Sequence, residues 1–176
     1  MKIKKIILLM SLTFLFGCHS SIDPKIYAAN QPKMDIRKYL DGKLEAHGIL
    51  QDRSGKVIKS FIVEMEGKWQ GNSGKLEEFF TFSDGKKDQR IWEINFSDDN
   101  NFTAKAHDTV GIATGQQYGN AFKMDYILKI DVDGKKYDIK LVDWIYLIDE
   151  KTAINVSRMS KFGFSVGTLT IAFKKI

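Results

Sequence analysis

The stretch Phe122-Lys-Met-Asp-Tyr-Ile-Leu-Lys-Ile-Asp-Val132 decides the fold. Phe122, Met124, Tyr126, Leu128, Ile130 and Val132 alternate with Lys123, Asp125, Lys129 and Asp131. A period of two places the first set on one face of a strand and the charges on the other. The same period runs through most of the chain on both sides. Upstream, Leu40, Gly42, Leu44, Ala46, Gly48 and Leu50 share a face, and so do Phe61, Val63, Met65, Gly67 and Trp69. Leu76, Phe80 and Phe82 follow, then Arg90, Trp92, Ile94 and Phe96, then Phe102, Ala104 and Ala106, then Val110, Ile112, Thr114, Gln116 and Tyr118. Downstream, Tyr137, Ile139 and Leu141 lead into Trp144, Tyr146 and Ile148, and Ile154, Val156, Leu169, Ile171 and Phe173 complete the set.

Turn chemistry separates the runs. Arg53-Ser-Gly55, Ser83-Asp-Gly85, Gly119-Asn120 and Asp133-Gly134 supply residues that tolerate positive φ, as tight hairpins require. Connections this short cannot make parallel crossovers, so consecutive strands pair antiparallel. The expected fold is all-β, an up-and-down meander of eight to ten strands. Its edges are removed by closure into a lipocalin-like barrel, which long strands with internal glycines favour over a two-sheet sandwich. Apolar faces then point inward. Glycines on the inner face subtract side-chain volume, so an open-ended pocket of at least about 300 Å³ is expected.

Residues 1–17 read as a signal peptide. Lys2, Lys4 and Lys5 precede an apolar run from Ile6 to Phe16, too short to span a bilayer. Leu15-Phe16-Gly17-Cys18 resembles the bacterial lipobox, which implies cleavage before Cys18 and acylation of its thiol and new amino group. Cys18 is the only cysteine, which excludes an intrachain disulfide framework. Two or more acyl chains make a stable anchor. His19 rather than Asp follows, and by resemblance to Gram-negative sorting rules this directs the protein to the outer membrane, facing the periplasm. Residues 18–34, with Pro24 and Pro32, read as a lipidated tether, and 35–176 as a single barrel domain.

Among the 176 residues, 27 are Lys or Arg and 22 are Asp or Glu. Removing the three signal-peptide lysines leaves a nearly neutral domain, which excludes a nucleic-acid footprint. Of the histidines, His19 lies in the tether, His47 on a polar strand face and His107 at a strand end. They form no triad and no metal cluster, so neither a catalytic residue nor a metal or other cofactor is expected. Whether the chain is an enzyme stays open, with binding favoured.

Several segments resemble a family of uncharacterised bacterial lipoproteins, domain of unknown function 3833. They include Leu40-Asp-Gly-Lys-Leu-Glu-Ala-His-Gly48, Gly67-Lys-Trp-Gln-Gly-Asn72, Gly111-Ile-Ala-Thr-Gly115 and Met159-Ser-Lys-Phe-Gly-Phe-Ser-Val-Gly167. The resemblance implies a lipid anchor and one compact domain, and carries no catalytic residues.

The expected ligand-binding residues are Phe61, Met65, Trp69, Phe80, Arg90, Trp92, Tyr126, Trp144, Arg158 and Phe173. Arg90 or Arg158 would grip the carboxylate or phosphate of a fatty acid or phospholipid, because guanidinium binds such groups bidentately. The alternative is an envelope scaffold with a filled core, in which such polar residues are an internal Arg–Asp pair.

Overall fold

The structure is a computed structural model that describes residues 22–132 and 134–176. The signal peptide and Cys18 lie outside the described residues. Ten strands follow in order: β1 (Gly42–Asp52), β2 (Val57–Gln70), β3 (Ser73–Phe82), β4 (Lys87–Phe96), β5 (Asn101–Lys105), β6 (Ala113–Tyr118), β7 (Ala121–Val132), β8 (Lys135–Leu147), β9 (Thr152–Lys161) and β10 (Phe164–Lys175). Each pairs antiparallel with the next, and β10 pairs with β1, with Leu44 opposite Lys175 and Asp52 opposite Gly167. The meander therefore closes into a barrel without a free edge.

Hairpins alternate between the two ends. One end carries the turns after β2, β4, β6 and β8; the other carries those after β1, β3, β5, β7 and β9. The first end is plugged by one short helix, α1 (Ile36–Tyr39), capped by Asp35, which accepts from Arg37 N at 3.1 Å. Met34, Ile36, Tyr39 and Leu40 are buried there. Gly67 makes this possible: a Cβ on it would lie 1.7 Å from the Leu40 carbonyl oxygen.

The stretch read as a tether packs onto the barrel from Pro24 onward. Pro24–Tyr27 forms a 3-10 turn, and Pro24 is buried. Tyr27 lies edge-on to Trp144 and Tyr146, with ring centroids 5.6 and 5.5 Å apart. Gln117 ties this segment to the wall. Its Oε1 accepts from Ile36 N at 3.0 Å and its Nε2 donates to the Asp99 carbonyl at 2.8 Å.

Tyr27 also explains where the alternation misleads. On β8 the period of two continues unbroken through Ile139, Leu141, Asp143, Ile145 and Leu147, which face inward. Trp144 and Tyr146 are therefore on the outer wall, half-buried under Tyr27. On β9 the inner residues are Ala153, Asn155, Ser157 and Met159, and Arg158 is exposed on the outside. On β6 they are Ala113, Gly115 and Gln117. These three inner faces are lined by small or polar side chains. That leaves room for the large aromatics of the opposite wall.

Candidate functional site

A cavity of about 110 Å³ occupies the barrel interior. Seven of the ten residues expected to line it do so: Phe61, Met65, Phe80, Arg90, Trp92, Tyr126 and Phe173. Trp69 points inward but belongs to the plugged end, against Phe96 at 6.1 Å, and does not reach the cavity. Trp144 and Arg158, on the outer wall, are corrected out of the set.

The cavity is about a third of the volume expected, and the inner glycines show why. Gly48, Gly74 and Gly115 do not leave space; each is covered by the ring paired with it across the sheet. A Cβ on Gly48 would lie 2.1 Å from the Phe61 ring, on Gly74 2.4 Å from Trp69, and on Gly115 1.9 Å from Phe102. An aromatic lying over a cross-strand glycine fills the volume the glycine gave up. Phe61 then packs against Phe80 and Phe82, with centroids 5.9 and 5.8 Å away.

A polar belt crosses this apolar interior. Arg90 on β4 donates from Nε to both oxygens of Asp108, at 3.1 and 3.0 Å, and from Nη2 to Oδ2 at 2.7 Å. Asp108 comes from the loop between β5 and β6, which is held to β7 by Lys129 N donating to the Asp108 carbonyl at 2.8 Å. Arg90 Nη1 lies 3.7 Å from Glu78 Oε2, which also accepts from Trp92 Nε1 at 3.3 Å. The guanidinium stands over the rings of Phe80 and Trp92. Its partners raise its pKa further despite burial. The side chains of Arg90, Glu78 and Asp108 keep 19, 13 and 21% exposure, so this part of the interior touches solvent.

The deeper half of the belt is Tyr126, Asp143, Ser157 and Asn155. Tyr126 Oη donates to Asp143 Oδ2 at 2.9 Å, and its ring lies edge-on to Trp92. Ser157, paired with Asp143 across β8 and β9, donates to Asn155 Oδ1 at 2.8 Å. Asp143 Oδ1 is buried and has no hydrogen-bond partner among the described residues. Burial pushes the Asp143 carboxyl up to about 6, against the pull of Ser157, Tyr126 and Arg90. Burial likewise pushes Glu78 up to about 7, although Arg90 and Trp92 oppose it. These two carboxyls hold protons at pH values where ordinary ones have lost them.

The expected residue set lacks Glu78, Asp108, Asp143 and Asn155. Three of them stand in the alternation: Glu78 shares a face with Leu76, Phe80 and Phe82, and Asp143 with Leu141 and Ile145. Asn155 follows Ala153 by two. Asp108 has no such signal, because it enters from a loop. The cavity wall holds no histidine; His47 is on the outer surface, 2.8 Å from Glu45. Among the described residues, no group of three or more His, Cys, Asp or Glu side chains is placed to hold a metal.

The fold and the site together define a small-cavity, ten-stranded antiparallel barrel protein with a charged belt in its core. The chain belongs to the DUF3833 family, proteins of unknown function, whose sequence pattern matches residues 12–175. No functionally curated protein matches it. Among solved structures, it is similar to an S-type phycobiliprotein lyase, CPES, from Guillardia theta. The identity there is 6%, over 89% of this chain and 98% of that one, with a TM-score of 0.59. It also resembles a redesigned β-barrel, mFAP1, bound to DFHBI, at 12% identity over 81% of this chain and 100% of that one, with a TM-score of 0.44. At these identities the likeness to the lyase is one of fold.

Proposed function

We propose that this protein is an envelope lipoprotein that binds the apolar part of a small amphipathic, lipid-like molecule inside its barrel. The observation that carries the reading is the cavity itself. It is largely apolar, it has a polar belt on one side, and one polar atom in its wall is unsatisfied. That combination is how small-molecule sites are built.

Its size limits the occupant. An apolar cavity of about 150 Å³ is filled by one benzene. About 110 Å³ therefore takes a compact group or the end of a chain. A long acyl chain would have to displace Phe61, Phe80 or Phe82 at a cost of repacking. Neither arginine is placed for the head-group role expected of it: Arg90 is occupied by Asp108, and Arg158 is outside.

The anchor is Cys18, in the outer membrane facing the periplasm. Because the chain packs on the barrel from Pro24 onward, only about 20 Å of backbone separates an acylated Cys18 from the wall. The barrel is thus held against its bilayer, where an amphipathic ligand is concentrated. The aromatic rings seated over Gly48, Gly74 and Gly115 favour a second reading, a scaffold with a filled core.

Native mass spectrometry on the full chain, extracted in detergent from its own envelope, separates the two. The binding reading expects a bound species of low mass, lost on Phe61→Trp, which would fill the cavity. A ligand-free spectrum supports the scaffold. Labelled palmitate should enter the wild type and not Cys18→Ser.

A further inference from the structure

The polar belt allows the head of the ligand to be specified, given the binding reading above. We infer that the cavity selects a ligand whose buried head donates a hydrogen bond, with a protonated amine the best fit and a carboxylate the worst.

The first reason is that the cation is already used. Arg90 makes three contacts to Asp108 within 3.1 Å, approaches Glu78, and lies over two aromatic rings. An anionic head would have to evict Asp108, and removing one partner of such a pair leaves a buried charge uncompensated. The second reason is that the donors are used as well. The Tyr126 hydroxyl proton goes to Asp143 Oδ2, the Ser157 proton to Asn155 Oδ1, and the Trp92 indole N–H to Glu78. What is left over is an acceptor. Asp143 is 8% exposed, lines the cavity, and leaves Oδ1 without a partner among the described residues. A buried, unsatisfied acceptor is costly, and a donor placed against it recovers that cost. The third reason is the balance of charge: one guanidinium faces the three carboxyls of Glu78, Asp108 and Asp143. A cationic head favours the ionised form of Asp143, whereas an anionic head meets like charge.

The test uses three probes with the same four-carbon tail, n-butylamine, n-butanol and butyrate. Each is small enough for the cavity and soluble as a monomer. Binding to the full chain in a neutral detergent at pH 7.5 is followed by ligand-observed NMR. The expected result is butylamine binding at least about tenfold tighter than butyrate, with butanol between them. Asp143→Asn keeps the shape and Asp143→Leu removes the acceptor. Both should cut the preference for amine over butyrate to about threefold or less, with a thermal transition confirming that each is folded. Butyrate binding as well as butylamine, or an amine preference unchanged in both variants, overturns this inference and leaves a ligand-binding barrel. Absence of binding by all three probes overturns the binding reading and this inference with it.

Discussion

The two ends of the barrel are built from the same kind of hairpin and finished in opposite ways. At the plugged end, Met34, Ile36, Tyr39 and Leu40 close the opening, and their backbone is tied down by side chains from the wall. Gln117 holds Ile36 N, the Tyr39 hydroxyl donates to the carbonyls of Lys151 at 3.1 Å and Phe173 at 3.4 Å, and Lys175 Nζ donates to the Lys38 carbonyl. Burial raises the Tyr39 hydroxyl to about 12, so it stays a donor throughout the physiological range. At the other end the rim is apolar but uncovered. Phe162 and Phe164 on the β9–β10 turn are 88 and 77% exposed, and Ile112 is 67% exposed. Apolar residues stabilise a fold by being covered, not by being apolar. The difference between the ends is therefore made by sixteen residues upstream of the first strand that one end receives and the other does not, Pro24 to Tyr39.

That comparison can be broken at several points. Ile36→Ala, at 2% exposure, should cost the most, about 3–4 kcal/mol in urea unfolding. A loss below about 1 kcal/mol would mean the plug is not part of the core. Gln117→Ala should cost about 2–3 kcal/mol, because it leaves Ile36 N–H and the Asp99 carbonyl unpaired in a buried place. It should also speed amide exchange in residues 34–40 and not at the β9–β10 turn.

Between the ends, Asp143 should show itself through pH. Its folded value is raised from 3.8 to about 6, so the unfolded chain gives up this proton first as pH rises. The stability tied to this group is present below about pH 4, is lost between about 4 and 6, and stays lost above. Asp143→Asn, neutral throughout, should gain about 1–2 kcal/mol on the wild type between pH 4 and pH 8. Equal pH profiles for the two proteins would contradict a buried, proton-holding carboxyl. The smallest effect belongs to the rim, where Phe162→Ser and Phe164→Ser should each change stability by less than about 0.5 kcal/mol. A larger loss would show that the rim is packed after all.

Most of the interior was legible because alternation is a local property. Phe61, Met65, Trp92 and Tyr126 each lie in an unbroken run whose apolar parity leaves one choice of face. The misplaced residues come from β8 and β9, where both faces carry apolar side chains. There Trp144 and Tyr146 outweigh Asp143 on any scale of hydrophobicity, although the pairing register keeps Asp143 inside. Arg158 was misplaced with them, since it follows the same parity.

The sequence by itself determined the antiparallel meander, its turns and its closure, because a period of two and short Gly- and Asp-bearing connections leave few alternatives. It also determined the family to which the chain belongs. Only the tertiary structure decided what the barrel contains. Tyr27 covers Trp144 from 117 positions away and so permits an aromatic outer wall. Rings lie over Gly48, Gly74 and Gly115 and shrink the cavity. Asp108 reaches in from a loop and takes the one interior cation. Each depends on contacts between residues far apart in sequence, and no local pattern records which strand stands opposite which.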